Sequence, residues 1–179
     1  MKKMNIKEES STNVRLNSKK AQTALALAVS LWIGGAGVAW ATAVSSDTEI
    51  SAVQSTTEYE LTNDSGVTFT VKENGEVKNI RSTKSGNTIT VESGGQVTGD
   101  GRDYNYDYSF VGIAGGFNNN NINIAGTVKN AVYGGYAKTT TELSGNRITI
   151  TGEVKSDVIG AYTDGAATNN HVVVKMVVR

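Results

Sequence analysis

Three aspartates and three tyrosines crowd into Asp100–Tyr108, DGRDYNYDY, the stretch of this chain with the strongest chemical accent. Asp100, Asp103 and Asp107 can supply oxygen ligands to a hard cation, which makes Ca²⁺ the metal to consider. Their spacing fits neither the EF-hand loop nor the nonapeptide calcium repeat, so the plain expectation is a solvated loop. Tyr104, Tyr106 and Tyr108 alternate. On an extended segment they share one face, which can contact a sugar ring or a protein partner, or fold back onto the domain. His171 is the single histidine, next to Asn170 in a strand-like run and distant in sequence from any nucleophile, so it reads as a surface residue and not as part of a triad. The absence of Cys removes disulfides and thiolate metal sites. The repeats contain no cluster of carboxylates, so no catalytic residue and no cofactor beyond the calcium option is expected. Asn118–Asn121 is a run of asparagines suited to a turn or to a stacked ladder. Asn63-Asp64-Ser65 would be the main glycosylation sequon in a eukaryotic setting.

The elements that would carry these residues are announced by repetition. Asn120–Tyr136 reads NNINIAGTVKNAVYGGY and Asn146–Tyr162 reads NRITITGEVKSDVIGAY, and they align without a gap. A second pair, SGVTFTVKENGEV from Ser65 and SGNTITVESGGQV from Ser85, carries the same idea. Period-2 alternation of β-branched residues predicts half-buried strands with Val67, Phe69, Val71, Ile89 and Val91 pointing inward. Asn74-Gly75 and Gly94-Gly95 mark turns. Ile113–Phe117, Val132–Tyr136 and Val158–Tyr162 are three copies of one corner: aliphatic, any residue, Gly, small, aromatic. The small pair lets neighbouring coils approach closely, and the aromatics are placed to stack on one another. The fold expected is all-β: a repeat solenoid, parallel β-helix-like, over residues 61–179, with insertions leaving as loops. An antiparallel β-sandwich is the runner-up.

Composition agrees with short strands and tight turns: Gly is abundant, Pro is absent and only 19% of residues are charged. Net charge is zero, but its distribution is uneven. Beyond Ala41 the chain holds eleven basic and fifteen acidic residues, a balance that argues against a nucleic-acid partner. The front differs. Basic residues crowd into 1–20, an apolar run occupies 21–40, and Ala39-Trp40-Ala41 and Ala41-Thr42-Ala43 offer small-residue cleavage patterns. This layout predicts a signal-peptide helix over 1–41, cut after Ala41 or Ala43, with the bacterial Sec machinery as its partner. An uncleaved anchor is the alternative, and the membrane is met only through this segment. Residues 42–60 are rich in Ser and Thr and read as a polar linker or a poorly ordered first strand.

The signal segment, the N-x-[IV]-x-[IV]-x-G-x-V units and the Val-Tyr-Gly-Gly-Tyr corner together resemble the passengers of bacterial autotransporter-like surface proteins. The likeness covers Ser85–Val174, about half of the chain. It implies a parallel β-helix exported to the cell surface or outer membrane, often an adhesin, with a host cell or glycan surface as partner. The family's C-terminal β-barrel has no counterpart here, and the last strand, Asn170–Val174, is followed by no corner or cap. The expectation is therefore an N-terminal passenger piece of a truncated design, periplasmic if no barrel is supplied. The functional expectation is a structural or adhesive role without catalysis. The alternatives are a polysaccharide-active β-helix lyase or hydrolase, and a non-functional fragment.

Overall fold

The computed structural model describes residues 41–64, 66–99 and 111–175. The chain winds through these residues as a β-solenoid of about five turns. β1 (Thr42–Val44) belongs to a partial turn that pairs in parallel with the coil after it, and that first full coil holds β2 (Thr48–Ile50) and β3 (Val53–Leu61). The second holds β4 (Thr68–Val71) and β5 (Glu76–Ser82), and the third β6 (Thr88–Val91), β7 (Gln96–Val97) and β8 (Val111–Ala114). Then come β9 (Asn121–Ile124), β10 (Thr127–Val128) and β11 (Ala131–Tyr136). They are followed by β12 (Leu143–Ser144), β13 (Arg147–Ile150), β14 (Glu153–Val154) and β15 (Val158–Tyr162), and finally β16 (Ala167–Thr168) and β17 (His171–Val174).

Every pairing is parallel. One wall is a six-stranded sheet in the order β17-β13-β9-β6-β4-β2. The rest belongs to a nine-stranded sheet, in which the single long β5 faces both β7 and β8 of the next coil. The aligned repeats are the hydrogen-bond register itself. Arg147 pairs Asn121, Thr127 pairs Glu153 and Tyr136 pairs Tyr162, all at the offset of the gapless match. Thr68 pairs Thr88 in the same way for the earlier units.

Apolar alternation becomes columns of like residues. Phe69, Ile89, Ile122, Ile148 and Val172 form one column, and Ile50, Val71, Val91, Ile124, Ile150 and Val174 another. Val77, Val97, Val128 and Val154 face them from the opposite wall. Val67, Phe69, Val71, Ile89 and Val91 are all buried, as the alternation predicts. Each such side chain taken out of water contributes about 1.5–3 kcal/mol. The Asn74-Gly75 and Gly94-Gly95 turns form as expected, closed by Gly75 N–H to Lys72 O and Gly95 N–H to Glu92 O, both 2.9 Å. Asn74 (φ 64°) and Gly94 (φ 84°) take the left-handed conformation that a type II turn requires at its third residue.

The solenoid begins earlier than the polar character of residues 42–60 suggests. That stretch is strand in β1, β2 and most of β3. Only one face of a coil needs to be apolar, and Val44, Ile50, Tyr59 and Leu61 supply it, each 4% exposed or less. Most of the Ser and Thr residues between them face outward, where polarity costs nothing, and the hydroxyl of the buried Thr48 donates to Ser46 O. Residues 1–40, which contain the expected signal-peptide helix and the Ala39 end of the first cleavage pattern, lie outside the described residues. Among the described residues no helix is long and apolar enough to cross a membrane. On β17, the last described strand, Val172 is 42% and Val174 67% exposed.

Candidate functional site

The loop singled out for its chemistry falls outside the description. Asp100, Asp103, Asp107, Tyr104, Tyr106 and Tyr108 all lie among residues 100–110. Its two flanks are nevertheless in register. Val97 pairs Val77 before it and Ile113 pairs Ile80 after it, so the coils keep their register on both sides of the insertion. Of the cleavage candidates, Ala41 precedes β1 and Ala43 is its exposed middle residue.

The corner repeat produces an organised aromatic cluster. Ala114, Tyr133 and Ile159 stand in register on the outer side of β8, β11 and β15. The Tyr136 and Tyr162 rings stack, with centroids 5.3 Å apart and planes 12° apart. Tyr133 meets both edge-on, at 5.2 and 6.0 Å. Val111 and Ala114 pack beneath this group, which is a small apolar cluster separate from the main core. Close approach of the coils is what brings the rings together. A Cβ on Gly115 would run into the Gly134 carbonyl, and one on Gly134 into the Gly160 carbonyl. Burial pushes the Tyr133 phenol above its usual range, and the nearby Asp157 carboxylate adds to this. Tyr162 remains 43% exposed, so the corner offers aromatic area to solvent.

A second constellation is polar, buried and almost wholly structural. Asn87, Asn120 and Asn146 are each 1% exposed or less. The Asn120 N–H donates to Asn146 Oδ1, the Asn146 N–H to Asn170 Oδ1, and the Asn87 N–H to Asn120 Oδ1, each at 3.0 Å. At the top Val67 takes the equivalent place and its N–H donates to Asn87 Oδ1. The side-chain amides donate onward, from Asn146 Nδ2 to Phe117 O and from Asn170 Nδ2 to Leu143 O. Of the run Asn118–Asn121, then, Asn120 enters the ladder. Asn118 Oδ1 accepts the Ser144 N–H, and Asn119 takes a left-handed turn conformation (φ 55°). The ladder was visible as the Asn that precedes each x-I-x-I strand.

The described carboxylates do not converge. Glu58 pairs with Lys78 at 3.0 Å, Glu60 with Arg81 at 2.6 Å, and Lys72 bridges Glu49 and Glu92 between three coils. Asp47 accepts the Thr68 N–H. Both hydrogen bonds to glutamate raise the Lys72 pKa. Among the described residues no three His, Cys, Asp or Glu side chains are grouped to hold a metal. His171 is exposed on β17, in register with Arg147. An open, shallow groove runs over Gly126, Gly152 and Glu153 toward Lys175. No family model, no curated protein and no solved structure matches this chain.

Proposed function

We propose that this chain is an exported β-repeat protein, displayed at the cell surface as an autotransporter-like passenger, with a structural or adhesive role and no catalytic site. The observation that carries the reading is how the described side chains are spent. Asparagines stack in a ladder, glycines let coils touch, and carboxylates tie one coil to the next. What remains for an outside partner is broad outer surface, including the Tyr133–Tyr136–Tyr162 corner, and not a cleft with converging acid and base groups. A cell surface or its glycans is the partner class. Export runs through the Sec machinery. Cleavage after Ala41 is favoured over cleavage after Ala43, because the first leaves β1 whole and the second removes two of its three residues.

The test is the intact mass of the protein recovered from fractionated bacteria. A species matching residues 42–179 outside the inner membrane is expected, and its binding to cells or immobilised glycans without turnover supports adhesion. Full-length protein held in the inner membrane would sink the export reading. Turnover of a polysaccharide that is lost in an Asp100, Asp103 and Asp107 triple variant would replace adhesion by catalysis.

A further inference from the structure

The outer face of the six-stranded sheet is a second organised surface, and it does not rest on the adhesive reading. Between the inward columns, Thr68 and Thr70 stand on β4, Thr88 and Thr90 on β6, Asn121 and Asn123 on β9, and Thr149 on β13. Thr68, Thr88 and Asn121 are in register, as are Thr70, Thr90, Asn123 and Thr149, with no bulge across these four strands. The result is a two-column grid of hydroxyl and amide groups. Thr70 is the most enclosed of them at 8% exposed, and the others are half-buried. The block is uncharged. Charge borders it: Glu49 is in register with Thr70, Arg147 with Asn121, and Lys72, two residues beyond Thr70, bridges Glu49 and Glu92 beside the second row.

Spacing says what such a grid fits. Adjacent strands repeat at about 4.8 Å, and residues two apart along a strand at about 6.7 Å. In a tetrahedral network of water molecules with O–H···O links of about 2.75 Å, two oxygens sharing a neighbour lie about 4.5 Å apart. The axial repeat of the same network is about 7.3 Å. The sheet departs from the first spacing by about 0.3 Å per strand, which adds up to about 0.9 Å across the four strands. It crosses the second only once, which leaves an offset of about 0.6 Å. Thr side chains are stiff at χ1, so the array is ordered before it meets a partner. An uncharged block surrenders no ionic hydration on contact with an uncharged lattice.

We propose that the Thr68–Thr149 face binds the ordered surface of ice. The experiment is partition of the purified full chain into slowly growing ice, with Thr90→Tyr at the centre of the grid and Glu76→Tyr on the other sheet as a control. Tyrosine is a good strand former at outward positions, and circular dichroism verifies the fold of each variant. The wild type and Glu76→Tyr are expected to concentrate in the ice fraction, and Thr90→Tyr to lose about tenfold or more of that enrichment. Wild-type partition equal to that of an inert protein of the same size would overturn the proposal. So would a folded Thr90→Tyr that partitions like the wild type. If Thr90→Tyr does not fold, Thr149→Lys at the edge of the grid decides in its place: loss of enrichment supports the proposal and retention overturns it.

Discussion

Asn146→Ala should be among the most damaging single changes in the chain, although it removes only one small polar group. The residue is 0% exposed. Its Oδ1 accepts the Asn120 N–H at 3.0 Å and the Asn120 side-chain amide at 3.2 Å. Its Nδ2 donates to Phe117 O at 2.8 Å and to Asn170 Oδ1 at 3.0 Å. Alanine would strand the Asn120 N–H and the Phe117 carbonyl where water does not reach. At about 1–3 kcal/mol for each buried group left unpaired, the loss is about 2–6 kcal/mol. Asn170→Ala is the internal comparison. It breaks the same type of contact to the Asn146 N–H, but Asn170 is half-exposed at the end of the ladder, and water can replace part of what is lost. A cost of about 1 kcal/mol is expected there. Urea denaturation followed by far-ultraviolet circular dichroism reads both as midpoint shifts at unchanged slope. Near-wild-type stability of Asn146→Ala would refute the idea that the ladder holds the coils together. Equal costs for Asn146→Ala and Asn170→Ala would refute the idea that burial sets the cost.

Gly134→Ala places a methyl group against the Gly160 carbonyl; a loss of about 1–3 kcal/mol is expected in the same denaturation assay, with separation of the Tyr136 and Tyr162 rings seen in near-ultraviolet circular dichroism. Ile122→Ala, in the middle of a buried column, should cost about 2–5 kcal/mol, and Val172→Ala, in the same column but 42% exposed, well under half as much when their thermal midpoints are compared. Tyr59 and Tyr133 hold their protons more tightly when folded, so in the native protein both ionise above the ordinary tyrosine range of about pH 10. The folded state then binds more protons than the unfolded one above that pH. This part of the stability is fully present below about pH 10 and falls as pH rises through the folded pKa values. Phenolate absorbance against pH checks it, and Tyr133→Phe should remove one late-titrating group.

The coil core was legible because periodicity and burial report the same thing. Val67, Phe69, Val71, Ile89 and Val91 could be assigned inward from alternation alone, and the gapless match between Asn120–Tyr136 and Asn146–Tyr162 reappears as strand register. Residues 42–60 misled because Ser and Thr dominate the composition, while the fold asks only for Val44, Ile50, Tyr59 and Leu61 at the right places. The pairing of β12 with β16 had no apolar alternation to announce it: its strands are two residues long, and Leu143 alone among their residues is buried. The corner aromatics were expected to stack: Tyr136 and Tyr162 do, but Phe117, 37% exposed, makes no ring contact with them. The sheet's outer grid was overlooked because Thr and Asn between apolar residues read as the solvated half of a strand. Their significance lies in register between coils, which one strand does not reveal.

That register also makes the coil a unit of inheritance. Asn120 and Asn146 occupy equivalent places, as do all paired residues between them and the ends of β11 and β15. Excising 120–145 would bring Asn146 directly beneath Asn87, with isoleucines still on Ile89 and Val91 and Gly152 still following its strand. Duplicating the same segment would add one more rung of the same kind. Point changes inside a rung must satisfy the neighbours above and below at once, but a gain or loss of whole rungs disturbs neither. The length of such a molecule can therefore drift in coil-sized steps more freely than its sequence can drift residue by residue.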